Sequence, residues 1–238
     1  MFNFGIMCKH ILTAFFALSV MCCSSTTDVN PIIDKEMSRT AKTYLALGDS
    51  YTIGTSVGYS ENYPNQLVDS MLAKTGDSLA VKIVAQNGWR TDDLQRGIER
   101  SELDEKYDLV SLLIGVNNQY QGLPLADFEK DFRSLLDSAL KYSGGDKSHI
   151  FVVSIPNYGY TPFGAEKKEE TTKELALFNS KSKTICGEYG IDFYNITNIS
   201  LEAETNATFR AKDDLHPSGT QYAAWVSSFL DEVIEKLE

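Results

Sequence analysis

Histidine is the scarcest group in this sequence that could act as a base near neutral pH, and its three positions limit what any serine can do. A serine hydroxyl becomes a nucleophile when a base takes its proton, most often a histidine that a carboxylate holds in one tautomer. His10 lies in an apolar N-terminal run. His149 stands just before an apolar, β-rich segment, which puts it at the amino end of a strand and on the surface. His216 occupies Asp213-Asp214-Leu215-His216-Pro217-Ser218-Gly219, where an aspartate three residues before a histidine can fold back to accept the Nδ1 hydrogen, leaving Nε2 free as a base. Pro217 disfavours a helical conformation at His216 and holds the turn open. Taken alone, the same turn also reads as an ordinary entry into the last helix.

The matching nucleophile is Ser50, where the apolar run from Thr43 ends abruptly in Gly48-Asp49-Ser50. Serine and aspartate are also favoured helix caps, and a strand-to-helix turn needs one, so Ser50 in isolation reads as a cap. Acyl transfer further requires donors aimed at the oxygen that turns negative in the tetrahedral intermediate. Gly88 can offer a backbone N–H at close approach because it has no side chain. Asn117, in a glycine-containing loop, can offer its carboxamide, and the Ser50 amide is a third donor.

These residues need a scaffold that brings them to one place. Short β-rich apolar runs at 44–47, 81–85, 109–114, 150–155 and 191–194 alternate with segments of helical period at 63–74, 91–100, 124–142, 165–189 and 218–237. The 124–142 segment is the clearest helix: Leu125, Phe128, Phe132, Leu135, Leu136 and Ala139 recur at three- and four-residue steps, with Pro124 before them and Gly144-Gly145 after. Strand–helix alternation predicts a parallel α/β sheet covered on both faces, and in such sheets ligands bind in the crevice outside the carboxyl ends of the strands. The loops leaving those ends are Gly48-Asp49-Ser50, Gln86-Asn87-Gly88-Trp89, Gly115-Val116-Asn117-Asn118 and Pro156-Asn157-Tyr158-Gly159-Tyr160.

Composition sets the outer limits. With 42% hydrophobic and 23% charged residues over 238 positions, the chain has the makings of one ordinary domain. Its 33 acidic and 22 basic side chains leave a formal charge of −11, which opposes nucleic acid as a partner. Residues 1–22 have a signal-peptide pattern, with an apolar run from Ile11 too short for a comfortable membrane span of about 20 residues. The run ends at Cys22-Cys23, and Cys23, or else Cys22, is placed as a lipidation site resembling that of bacterial lipoproteins; an ordinary cleaved secretory peptide is the alternative. Residues 23–41 form a flexible tether and 42–238 a single domain. Export to a bacterial cell envelope, lipid-anchored or secreted, follows, and any membrane contact is through that anchor. Cys186 reads as a small buried apolar residue, and the three sequons at Asn195, Asn198 and Asn206 as coincidence.

Read in order, Gly48-Asp49-Ser50, Gly88, Asn117 in Gly115-Val116-Asn117, and Asp213-x-x-His216-Pro217 resemble the four blocks of the SGNH (GDSL-type) hydrolases, over roughly Tyr44 to Ser227. The resemblance implies a three-layer α/β/α sandwich around a mostly five-stranded, parallel, flavodoxin-like sheet, and ester or thioester hydrolysis without metal or organic cofactor. It implies Ser50 as nucleophile, His216 as base and then acid, and Asp213 as the orienting carboxylate. The Ser50 and Gly88 amides and the Asn117 side chain would form the oxyanion hole. Asp214 is a nearby alternative carboxylate, ranked lower because the family's acid stands three residues before the histidine. Tyr51 departs from the Leu of the signature, and Asn118 stands where an Asp often follows the family's Asn, which puts in doubt any contact needing a charge there.

The substrate is less defined. Tyr51, Tyr59, Trp89, Tyr120, Tyr158, Tyr160 and Phe163 crowd the same rim, where they would line a substrate site or pack under loops. With no long hydrophobic lid in the sequence, the expected substrate is a small-molecule or glycan ester carrying a short acyl group such as acetyl. Lysophospholipase or thioesterase activity is the runner-up. A non-catalytic envelope protein that binds acylated sugars, and a flavodoxin-like cofactor binder, are readings of another class. The second is opposed by Asp49, which would repel a phosphate after the first strand.

Overall fold

The computed structural model describes residues 42–238. The signal segment, Cys22, Cys23 and the tether lie outside the described residues.

Five strands form one parallel sheet: β1 (Lys42–Gly48), β2 (Leu79–Ala85), β3 (Leu109–Leu113), β4 (Ile150–Val153) and β5 (Asp192–Tyr194), in the order β2-β1-β3-β4-β5. The central strands carry continuous apolar runs, and Tyr44 to Leu47 and Leu109 to Leu113 are all buried. That is the signature of strands covered on both faces. Between the strands run α1 (Ser50–Ile53), α2 (Tyr63–Thr75), α3 (Thr91–Arg100), α4 (Val116–Tyr120), α5 (Leu125–Tyr142), α6 (Lys168–Tyr189), α7 (Thr197–Leu201) and, after β5, α8 (Gly219–Glu235).

Topology assigns the layers. The step from β1 to β2 runs one way across the sheet, and the steps to β3, β4 and β5 run the other way. Crossovers of one hand therefore put α2 on one face and α3, α5 and α6 on the opposite face. The packing agrees, since α2 lies against α8 while α5 contacts both α3 and α6. The fold is a three-layer α/β/α sandwich whose direction reverses between β1 and β3, and a crevice opens at such a point.

Register then levels the rim. Gly48 at the end of β1 pairs with Ala85 of β2 and Leu113 of β3, so three loops leave the sheet side by side. Gly48 is tightly enclosed: a Cβ there would stand 2.0 Å from Thr52 Oγ1 and 2.5 Å from the Leu113 carbonyl oxygen. Below it, a buried hydroxyl network ties strand to helix. The Ser111 hydroxyl lies 2.7 Å from Tyr44 Oη and 3.0 Å from Tyr63 Oη.

The expected strands all form, and the helix expected at 91–100 has those bounds. The three shortest helices, α1, α4 and α7, were not expected from the sequence, because four or five residues carry no readable period. His149 ends a turn of 3-10 helix before the amino end of β4, half-buried rather than on the surface as its position in the sequence suggests.

Gly48→Ala is expected to lower stability by about 1–3 kcal/mol, the usual cost of overpacking, because one clashing atom is backbone and cannot rotate away. Denaturant unfolding that matches the parent would remove this account of the turn.

Candidate active site

Asp49, not Ser50, caps α1. Its Oδ1 accepts the Tyr51 N–H at 3.0 Å, and Ser50 becomes the first helical residue with its hydroxyl free of capping duty. The cap reading of Ser50 is therefore corrected. The Ser50 amide lies in the first turn, where N–H groups have no intrahelical partner, and it meets no acceptor among the described residues. Asp49 is fully buried, and burial pushes its carboxyl up to about 7 against the opposing pull of backbone amides. Its Oδ2 has no partner among the described residues.

His216 sits at the end of a hairpin-like loop. The Ala211 N–H donates to the His216 carbonyl at 2.8 Å, Arg210 bridges to Pro217, and the Ser218 N–H donates to the Phe209 carbonyl at 3.0 Å. Ser218 then caps α8. Within this loop Asp213 folds back on the histidine: Oδ2 lies 2.7 Å from His216 Nδ1, while Oδ1 accepts the His216 and Leu215 amides at 2.9 and 3.1 Å. Burial alone would raise the Asp213 carboxyl. The Ser56 hydroxyl, the two amides and the imidazole outweigh it and hold the group well below the usual carboxylate range. Asp214 points elsewhere, 3.8 Å from Arg210 Nε and largely exposed. The Tyr51 ring packs on the imidazole from behind, with centroids 5.4 Å apart.

Ser50, 4% exposed, and His216, 7% exposed, line the same cavity of about 140 Å³. No hydrogen bond joins the Ser50 hydroxyl to the imidazole. Asn117 lines the cavity as well, with Nδ2 donating to the Trp89 carbonyl at 2.8 Å. That bond uses one of its two amide hydrogens and orients the other. Gly88 does not itself line the cavity, a place taken by the adjoining Asn87. Gly88 adopts φ 80°, a left-handed turn that suits glycine, and its amide is bonded to no acceptor among the described residues. Asn118 has a different task, for its Oδ1 accepts the Thr91 amide at 3.1 Å and its Nδ2 donates to Thr91 Oγ1 at 2.8 Å. A neutral amide serves both bonds, which answers the doubt over the missing charge.

The rim differs from expectation in part. Tyr51, Tyr120 and Tyr158 line the cavity, joined by Phe163, Val116 and Leu215. Tyr51 is buried and forms a wall, whereas Tyr120 and Phe163 are 60% and 51% exposed and meet Tyr158 in a three-ring cluster with centroids 6.1–6.2 Å apart. Trp89 and Tyr160 are corrected out of the rim. The Trp89 ring lies over Gly97, where a Cβ would stand 2.3 Å from it, and the Tyr160 ring carries Lys168 Nζ at 4.0 Å. Tyr59, on a separate 3-10 turn and 66% exposed, does not line the cavity either. Leu215 and Asn87 were missed, although both adjoin residues that the spacing had singled out.

The architecture is an α/β/α sandwich with these side chains gathered at the carboxyl ends of its strands. The chain belongs to the GDSL-like lipase/acylhydrolase family, whose model matches residues 46–224. Its fold is shared by an acetylxylan esterase from Geobacillus stearothermophilus, at 22% identity and TM-score 0.63 over 82% of this chain and 94% of that one. A lipase/acylhydrolase from Enterococcus faecalis is similar at 17% identity and TM-score 0.64, covering 83% and 97% of the two chains. A psychrotrophic esterase from Pseudoalteromonas sp. follows at 17% identity and TM-score 0.60, covering 82% and 98%. No curated protein matches the sequence significantly.

Asp49 supplies a pH prediction. Its folded pKa of about 7 lies above its ordinary value of 3.8, so the folded chain holds this proton more tightly than the unfolded chain does. The resulting stabilisation is present below the unfolded value and lost as pH rises toward the folded one. Asp49→Asn keeps the capping oxygen and removes the titration. Its Tm relative to the parent is expected to climb between pH 4 and pH 7 and to level off above, and a difference that does not vary with pH overturns the buried-acid assignment.

Proposed function

We propose that the protein is a serine ester hydrolase that removes short acyl groups, such as acetyl, from glycans or small alcohols through an acyl-enzyme. The observation that carries this reading is the shared cavity: Ser50, Asn117 and His216 line it together, and Asp213 fixes the outer nitrogen of the imidazole. In the proposed sequence Ser50 Oγ attacks the ester carbonyl while His216 Nε2 takes the hydroxyl proton. The Asp213 carboxylate keeps Nδ1 protonated and stabilises the imidazolium that forms. The oxyanion receives the Ser50 amide and the free hydrogen of Asn117 Nδ2, and the Gly88 amide, next in the chain to cavity-lining Asn87, is the proposed third donor, each contributing about 3–4 kcal/mol to the transition state. As the intermediate collapses, His216 hands its proton to the departing alcohol. A water activated by the same nitrogen then cleaves the acyl-enzyme.

Two features support a short acyl group and a ring-shaped alcohol. The cavity, at about 140 Å³, is well under the roughly 300–1,000 Å³ of pockets that enclose larger ligands. Tyr120 and Phe163 stand exposed beside it as an aromatic ledge on which a sugar ring can stack. A long lipid chain or acyl-thioester would need an apolar channel beyond the cavity. We place the enzyme in the cell envelope on the strength of its N-terminal segment.

Ser50→Ala is expected to abolish turnover of p-nitrophenyl acetate with the circular dichroism spectrum and Tm unchanged; retained turnover refutes the reading, and loss of the fold would call for Ser50→Cys in its place. The ledge gives a second measurement. Tyr120→Ala and Phe163→Ala are expected to raise KM for an acetylated oligosaccharide by roughly tenfold, in line with about 1 kcal/mol or more per aromatic contact, and to leave p-nitrophenyl acetate turnover nearly unaffected. Equal effects on both substrates would exclude a separate alcohol subsite.

A further inference from the structure

We propose that Ser56 is a positioning residue for the Asp213–His216 pair, a role that rests on the hydrolase reading above. Its hydroxyl donates to Asp213 Oδ2 at 2.5 Å, and that same oxygen faces the imidazole Nδ1 at 2.7 Å. The other carboxylate oxygen is occupied by the Leu215 and His216 amides. Three of the four groups on Asp213 therefore come from its own turn. Ser56 alone comes from a different segment, the turn after α1, six residues beyond Ser50 and 157 residues from its partner.

The backbone supplies an independent observation. Ser56 has φ 71°, a left-handed conformation that residues with a side chain rarely adopt. Glycine would sit there without strain, and the same short segment uses glycine at its other left-handed position, Gly54 with φ 80°. A serine held in a conformation better suited to glycine marks a side chain retained for what it contacts. Chemically, a hydroxyl on Oδ2 stops the carboxylate from rotating away from the imidazole and lowers its affinity for a proton. The Nδ1 proton then stays on the histidine while the imidazolium exists, and the base remains aimed at the nucleophile.

Strain and function predict opposite outcomes for one substitution, which makes the test sharp. Ser56→Gly should have a Tm equal to or above the parent while kcat for p-nitrophenyl acetate falls roughly tenfold or more, the worth of a hydrogen bond to a charged group, with KM little changed. The low-field proton resonance of His216 Nδ1 should shift or broaden in the same variant. Ser56→Asn, which tolerates a left-handed backbone and can donate from its amide, should recover much of the rate. In a double-mutant cycle, Ser56→Gly should add nothing to the loss caused by Asp213→Asn. Parental kcat in Ser56→Gly, or full additivity in the cycle, overturns the proposal. Ser50→Ala in the same assay separates the two levels: turnover there sinks the hydrolase reading itself, whereas an inactive Ser50→Ala beside a fully active Ser56→Gly sinks only the role of Ser56.

Discussion

The cavity depends on how closely the chain can turn at the end of β1. Gly48 is so tightly enclosed by Thr52 and the Leu113 carbonyl that only a hydrogen fits where a side chain would start. This allows α1 to begin immediately, with Asp49 as cap and Ser50 in the first turn. Because Gly48 also pairs in register with both neighbouring strands, the same constraint sets the height of Ser50 against the loops after β2 and β3. A wider turn would raise the hydroxyl away from Asn117 and the imidazole. The buried network through Ser111 anchors the base of this arrangement, joining β1, β3 and α2.

Electrostatics divide the two aspartates of the site. Asp49 is enclosed, with one oxygen unpartnered, and is held toward its neutral form. Asp213 lies nearer the surface, receives four hydrogen bonds and is held as an anion. The difference is consistent with the chemistry proposed for the cavity. A full negative charge beneath the nucleophile would oppose the oxyanion, whereas one behind the imidazole stabilises the cation that forms there.

Much of the fold was legible because parallel strands buried on both faces read as unbroken apolar runs, and because α5 carries a clear period and clear stops. The same alternation placed Ser50, Gly88 and Asn117 at strand carboxyl ends, while their grouping with His216 into four ordered blocks came from the family resemblance. What was not legible shares a cause: it depends on direction or distance across the fold. Trp89 and Tyr120 are both aromatics beside motif residues, yet one ring turns onto the gap left by Gly97 and the other stands in solvent. The partner of Ser56 is far along the chain, and no local pattern announces it. The sequons illustrate the converse, since Asn195 and Asn206 each accept the amide two residues on, so the Asn-x-Thr spacing recurs here as turn chemistry.

The bond from the Phe163 amide to the Asp214 carbonyl, 3.2 Å long, links the aromatic ledge to the histidine loop through main chain alone. Such a link is indifferent to which side chains the ledge presents, so its rings can be exchanged for other shapes while Asp213 and His216 keep their places. Lengthening the segment between Tyr160 and Phe163 is another matter, because it would pull on Asp214, a residue already in a left-handed conformation at φ 56°. On the proposed reading, the ledge is thus free to diversify by substitution and restrained against insertion, which makes Tyr120 and Phe163, rather than loop length, the practical handles for changing which alcohol it receives.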